Sequence, residues 1–430
     1  MDKLENARAR INELDVEIAK LWALRMDAVR EVSEYKKENG LPVLDTSRES
    51  ELLNKNLSHV PEELRSYYIQ FHGGVLASSK QYQRDLSEKP DDMLNMNLGD
   101  RGYNILIRRG ALYHAGEFMN LKRRVLIVTD DGVPAQYAET VASQCENPCI
   151  VTLPHGEQTK CFESFKTLLK TMLENRFTRK DCVVAVGGGV MGDLAGFAAS
   201  AYMRGIDFYN IPTTTLSQID SSIGGKVAID LDGYKNTVGA FWQPKFVLID
   251  PDTLKTLDKR QFASGIAEAV KMSLTSDKEL FEMFERGDIE ENLDEIIRRS
   301  LMIKKSVVEQ DEKETGLRKI LNFGHTVGHG IETAEDGGLY HGECVFLGML
   351  PMCSKEVRER LLKIMHSLGV PTDITTDAEK IKRAMRHDKK SENSSVTVVK
   401  VYDAGSFELN KLSFDELFSE LDSYLEEAAK

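Results

Sequence analysis

Leu4, Ala7, Ile11, Leu14, Ile18, Leu21, Ala28 and Val32 recur at three- and four-residue spacing. The pattern predicts one helix of about ten turns. An apolar seam that long wants a partner helix, and a second copy of the chain supplies one. Arg25 interrupts the seam where an apolar residue belongs, so its guanidinium is either a solvated edge group or faces an anion. Gly40-Leu41-Pro42 ends the helix. A short helix carrying Asp45, Arg48 and Glu49 follows, and Pro61-Glu62-Glu63 opens a third that runs through Ser79 and Gln83. The polar, proline-bearing stretch from Leu86 to Asp92 reads as a linker. This sets an all-α three-helix domain at 1–86 and a linker at 87–93.

Beyond the linker the pattern shortens. Tyr103 to Ile107, Val125 to Asp130, Val183 to Val186 and Phe246 to Asp250 are brief, mostly β-branched runs. Such runs fill strands buried on both faces, and their alternation with helices predicts an α/β lobe with a mainly parallel sheet at 94–258. From about residue 260 the pattern turns helical, giving a mostly α-helical lobe at 259–430. The expectation is therefore a multidomain chain.

Composition narrows the function classes. With 430 residues, 41% hydrophobic and 29% charged, the chain is long enough for two or three cores. No apolar run is long enough to span a membrane, and the acidic, helical start is unlike a signal peptide, so a cytoplasmic protein is expected. A net charge of −13 argues against nucleic acid as main partner, while leaving room for a local cationic pocket for an anionic metabolite. The six cysteines lack paired C-x-x-C spacing and read as reduced thiols.

Two clusters carry candidate chemistry. Gly187, Gly188 and Gly189 join the Val183 run to the helix of Leu194 to Ala199, and a strand-to-helix turn without side chains lets a diphosphate approach the helix start. The competing reading is a tight turn that needs positive φ angles. Asp130, closing a strand, suits the hydroxyls of a nucleotide ribose or caps a helix. Further on, His325, His329 and His341 fall within seventeen positions, with Glu268 and Lys271 upstream. Spacing alone pairs His325 with His329 as a helical i, i+4 metal chelate.

The first segment resembles the all-helical class of chorismate mutase, through R-x-x-I-x-x-L-D at Arg8 to Asp15, then Arg25, Lys36, P-V-x-D-x-x-R-E at Pro42 to Glu49, and Ser79-x-x-x-Gln83. The resemblance implies a dimer with a chorismate site lined by Arg8, Arg25, Lys36, Arg48, Glu49 and Gln83, supported by Asp45 and Ser79. Chorismate rearranges to prephenate in one pericyclic step, which needs only positioning and charge stabilisation. A sensor or dimerisation role for the domain is the alternative.

From about Leu94 onward the chain is similar to 3-dehydroquinate synthase, through GGGVMGDLAGFAASAYMRG, IPTTTLSQIDSSIGGKVAID, KNTVGAFWQP, SGIAEAVK, LNFGHTVGH and HGE, in that order. Gly233-Tyr234 depart from the leucine-glycine the family often places before the Lys-Asn pair. The resemblance implies a divalent metal, zinc or cobalt, on Glu268, His325 and His341, with His329 facing substrate. It places NAD against Asp130, Glu157, Lys160, Gly188, Gly189, Asp193, Thr213, Thr214 and Thr256. It surrounds the substrate with Arg204, Asp220, Lys226, Lys235, Asn236, Lys271, Lys304, Arg318, Asn322 and Lys389 or Lys390. The implied reaction turns 3-deoxy-arabino-heptulosonate 7-phosphate into 3-dehydroquinate and phosphate, by transient oxidation, elimination, reduction and aldol closure. That is a step of the shikimate route to aromatic amino acids. Metal-dependent alcohol and glycerol dehydrogenases share the architecture but do not need the run of lysines and arginines, and other sugar-phosphate cyclases differ in a few pocket residues.

Overall fold

The structure, a computed structural model, describes residues 3–38, 52–53, 55–88, 92–335, 337–388 and 395–428. It divides into two compact units, Met1–Met93 and Leu94–Lys430.

In the first unit, helix α1 (Lys3–Glu38) matches the periodic seam, and helix α2 (Arg65–Glu88) follows a single 3-10 turn at Glu62–Leu64. Pro61 therefore precedes the 3-10 turn, not the α-helix itself, and α2 runs two residues into the stretch read as a linker. Val29 and Ser33 of α1 and His72 and Ser79 of α2 are buried. The rest of the seam is not: Leu14, Ile18 and Leu21 stand 55%, 49% and 64% exposed. One neighbouring helix covers only the end of a stripe that continues for several more turns.

The second unit is built on a seven-stranded sheet. Its strands are β1 (Met93–Met96), β2 (Tyr103–Ile107), β3 (Arg124–Asp130), β4 (Asn147–Leu153), β5 (Cys182–Gly187), β6 (Asp207–Pro212) and β9 (Phe246–Ile249), in the order β1-β2-β9-β6-β5-β3-β4. Neighbours from β2 to β4 all run parallel. Every residue of β5 is buried, as its unbroken apolar run requires. Between β6 and β9 the chain leaves the sheet as an antiparallel hairpin, β7 (Lys226–Leu231) and β8 (Tyr234–Phe241). Asp232 (φ 49) and Gly233 (φ 83) form its two-residue turn, and two positive φ values in a D-G pair are the geometry that matches strand twist. Gly233 thus serves the hairpin. A second hairpin, β10 (Ser395–Lys400) with β11 (Glu408–Ser413), interrupts the helical lobe.

Among the helices, α3 (Gly189–Ala201) follows β5, and α4 (Lys259–Ser276), α5 (Leu293–Gln310), α6 (His325–Glu335) and α7 (His341–Met349) form the heart of the second lobe. α4, α6 and α7 meet almost backbone to backbone. A Cβ on Gly342 would stand 1.8 Å from the Ser264 carbonyl oxygen, and one on Gly328 would stand 2.8 Å from that of Cys344. Any side chain there must push helices apart, so the glycines of these motifs set the helix spacing. Gly342→Ala should destabilise the protein by about 2 kcal/mol. Urea unfolding checks this, and an unchanged midpoint would show that α7 is free to shift.

Candidate active site

From β3 the chain crosses outward to β4, then returns to place β5 on the opposite side of β3. The carboxyl ends of β3 and β5 therefore flank the crevice where open α/β sheets bind ligands. Asp130 and Gly187 occupy those ends. Positive φ is found at none of Gly187, Gly188 or Gly189. The need there is space: a Cβ would come within 2.7 Å of Met191 Cγ at Gly187, 3.0 Å of Thr214 Cγ2 at Gly188 and 3.0 Å of Ser221 Oγ at Gly189. No side chain caps α3, so its leading N–H groups remain available for an anion. Asp130 caps no helix; its Oδ1 accepts from Gly132 N at 3.0 Å, and burial pushes its carboxyl up. Beside this turn, buried Lys160 pairs with Asp193 at 2.7 Å and Glu157 at 3.7 Å and donates to Asn236. Thr213 is buried, the Thr214 hydroxyl meets Ser217 Oγ at 2.9 Å, and Thr256 meets the Tyr137 hydroxyl at 3.0 Å.

The second cluster closes around Glu268, fully buried on α4. One carboxylate oxygen, Oε2, accepts from Lys271, one turn on and equally buried. The other, Oε1, is buried without a hydrogen-bond partner, 3.6 Å from His325 Nε2 and 3.7 Å from His341 Nε2. Both rings are held from behind. His325 Nδ1 lies 3.1 Å from the Phe323 carbonyl oxygen and His341 Nδ1 lies 3.1 Å from Glu332 Oε2. Donation from Nδ1 leaves each Nε2 as the atom turned toward Glu268. His329 completes the group, the three histidines offering ligand atoms within 4.8 Å of one another.

The electrostatics ask for a cation. Burial raises the Glu268 carboxyl, but Lys271 and His341 outweigh that and hold it well below the usual range. Burial, reinforced by Lys271, lowers His325 to about 3, so its ring is neutral. Burial also opposes charge on His341, yet Glu268 and Glu332 outweigh it and raise the imidazole to about 9. A proton held between two carboxylates is what a divalent ion displaces. One unpartnered carboxylate oxygen and two oriented imidazole nitrogens, with His329 alongside, fit zinc or cobalt.

A cavity of about 570 Å³ runs from Asp193 and Asn236, beside the first cluster, to the three histidines of the second. Asp193, Asp220, Lys226, Asn236, Lys271, Lys304, Arg318, Asn322 and the three histidines all line it. Asp220 sits on a π-helical turn, Ser217–Ser221, and pairs with Lys304 of α5 at 2.6 Å. Burial lowers the Lys304 ammonium despite that carboxylate. Burial raises the carboxyl of Asp220, but Lys304 and Lys271 outweigh it and hold the group low. Two expected residues do not line the cavity. Met203, Arg204 and Gly205 take φ values of 51, 68 and 114 as the chain reverses from α3 toward β6, and Arg204 is left exposed. Lys235 pairs instead with Glu332 at 2.7 Å. Lys389 and Lys390 lie outside the described residues.

Two carboxylates were not anticipated. Glu332 follows His325 and His329 at helical spacing on α6, a signal present in the sequence. Glu314 gave none. It stands at φ 60 in a loop held by Asp311, whose carboxylate accepts from Thr315 N, Gly316 N and Arg318 N at 2.8, 2.7 and 3.0 Å. Its own carboxylate reaches into the cavity, accepting from Lys226 and, at 2.7 Å, from Asn322 Nδ2.

In the first unit Arg25, half-buried on α1, donates to buried Ser79 of α2. Lys36 is half-buried and Arg8 exposed. Asp45, Arg48 and Glu49, and the side chain of Gln83, lie outside the described residues.

The fold is shared with solved synthases. The 2-epi-5-epi-valiolone synthase from Streptomyces hygroscopicus, solved with NAD+ and Zn2+ bound, superposes with a TM-score of 0.68 at 26% identity, covering 76% of this chain and 97% of that one. A 2-deoxy-scyllo-inosose synthase complexed with carbaglucose-6-phosphate, NAD+ and Co2+ shares the fold, with a TM-score of 0.68 at 24% identity over 78% of this chain and 99% of that one. Residues 150–264 match the family model for the 3-dehydroquinate synthase N-terminal region and 265–391 that for its C-terminal region. Residues 7–84 match chorismate mutase type II. The 3-dehydroquinate synthase of Streptococcus suis is 39% identical over 347 residues, 75% of this chain and 98% of that protein. The chain belongs to the 3-dehydroquinate synthase family, and carries a chorismate mutase type II segment ahead of it.

Proposed function

We propose that residues 94–430 convert 3-deoxy-arabino-heptulosonate 7-phosphate to 3-dehydroquinate and phosphate, and that residues 7–84 rearrange chorismate to prephenate. The observation that carries the first reading is the unpartnered Glu268 Oε1 behind two oriented imidazoles, which line a cavity together with Lys226, Lys271, Lys304, Arg318 and Asn322. A substrate with a carboxylate and a phosphate needs such cations, and an ordinary alcohol does not.

Glu268, His325 and His341 would hold the divalent ion, and the crevice between Asp130 and the three glycines would hold NAD. When bound, NAD supplies reversible oxidation of a substrate hydroxyl and the ion polarises that oxygen. The chain's own residues do the rest. Lys226, Lys304, Arg318 and Asn322 bind the anionic groups and hold the sugar beside the three histidines. Asp220 keeps Lys304 in place and His329 faces substrate, within reach of a hydroxyl proton. Lys271 holds Glu268 ionised and aimed. Family resemblance adds Lys389 or Lys390 and Arg204 to the residues around the substrate.

For the first unit, the exposed seam of α1 supports a homodimer in which the helix is covered by a second copy. The Arg25 to Ser79 contact supports a chorismate site at that end of the pair. Free thiols at all six cysteines and the use of NAD support a cytoplasmic enzyme. The boundaries 1–86, 94–258 and 259–430 serve as working domain limits.

Incubation with the heptulosonate phosphate and catalytic NAD should release phosphate over many turnovers. NADH accumulating in proportion to product would instead mark a dehydrogenase. The raised His341 imidazole adds a pH signature. Below about pH 9 each ion bound displaces the His341 proton, so zinc affinity should rise with pH, by up to about tenfold per unit, and level off above 9. Competition with a chromophoric chelator from pH 7 to 10 reads this, and a flat profile would remove His341 from the ligand set.

A further inference from the structure

Glu332 has no place in the ligand set proposed above, yet both of its oxygens are committed. Oε2 accepts from His341 Nδ1 at 3.1 Å, and Oε1 accepts from Lys235 Nζ at 2.7 Å. Its side chain is 18% exposed, whereas that of Lys235 is 53% exposed. The two partners come from different lobes: His341 opens α7, and Lys235 belongs to the β7–β8 hairpin. Three groups thus form one line from the hairpin surface to the centre: ammonium, carboxylate, imidazole.

We infer that Glu332 is the positioning residue for His341, and that Lys235 is the counter-charge that sets how strongly it acts. A carboxylate behind a ligating histidine fixes the ring and makes the far nitrogen a better donor. An ammonium on the other carboxylate oxygen withdraws part of that negative charge from the imidazole. Removing Glu332's charge therefore weakens cation binding, while removing Lys235's charge strengthens it. A substrate anion that draws Lys235 away would tighten the centre in the same sense, linking occupancy of the cavity to the ion's environment. A bracing role for Lys235 predicts the reverse, because a loosened hairpin can only slacken Glu332.

The inference rests on the centre proposed above, so the experiment separates the two. Full-length protein is stripped with a chelator, and its zinc dissociation constant is measured by competition at pH 10, where few protons compete for His341. Measured are wild type, His325→Ala, Glu332→Gln and Lys235→Gln. Glu332→Gln should bind zinc about 10- to 100-fold more weakly. Lys235→Gln, a change at a half-exposed side chain that should not prevent folding, should bind about two- to fivefold more tightly, the scale of one partly screened charge. If His325→Ala loses zinc but Glu332→Gln stays within twofold of wild type, or Lys235→Gln binds more weakly, the inference falls alone. If His325→Ala binds as wild type does, the centre falls and the inference with it.

Discussion

Replacing Glu268 by glutamine should abolish zinc retention, lower phosphate release by at least about a thousandfold and cost about 3 kcal/mol of stability. The three losses share a cause. Glu268 is a fully buried carboxylate whose two oxygens serve different masters, Oε2 for Lys271 and Oε1 for the space between the imidazoles. Glutamine nearly matches its shape, but it leaves the Lys271 ammonium buried without its counter-charge and replaces a metal-binding oxygen with a neutral amide. Burying one member of an ion pair alone costs more than burying neither. Glu268→Gln combined with Lys271→Met should accordingly recover most of the stability, as read by urea unfolding, and none of the zinc or turnover. A double variant as unstable as the single one would show that packing around α4, not charge, sets the cost. A single variant that still turns over would move the chemistry away from this centre.

How far the chain could be read without its structure depends on where the information sits. The runs that became β2, β3, β5 and β9 are legible because burial on both faces demands unbroken apolar sequence. The β7–β8 hairpin is not legible, since β8 is largely exposed and its Lys235-Asn236-Thr237 stretch carries no apolar alternation. The glycine turn is visible in the sequence with two explanations open, and only atomic neighbours decide that crowding matters there and φ does not. The metal cluster shows the same limit. Spacing along one helix finds His325 and His329, but Glu268 and His341 arrive from α4 and α7, and a helical repeat contains nothing about a third helix. Resemblance bridged that gap, because a family's motifs store tertiary proximity that periodicity lacks. It did not extend to Glu314, whose position depends on the turn held by Asp311.

Arg25→Ala should remove chorismate consumption by about a hundredfold or more while leaving phosphate release from the heptulosonate phosphate within about twofold of wild type. Arg25 is the one half-buried arginine on a helix whose apolar seam otherwise calls for leucine or isoleucine at that position. Its guanidinium donates to Ser79, itself buried, so a cation is held at a site where desolvation makes each donor worth more than it is in water. A dicarboxylate rearranging without a covalent intermediate depends on such fixed donors, and losing one typically removes two to three orders of magnitude. Phosphate release should persist because the cations serving it line a cavity wholly inside the second compact unit. Assaying both activities on the same preparation makes each the folding control for the other. If wild type consumes no chorismate, and phosphate release responds instead to added chorismate or prephenate, the first unit is a sensor and Arg25→Ala should abolish that response. If Arg25→Ala silences both activities, the two units do not function separately and the damage is to folding or assembly.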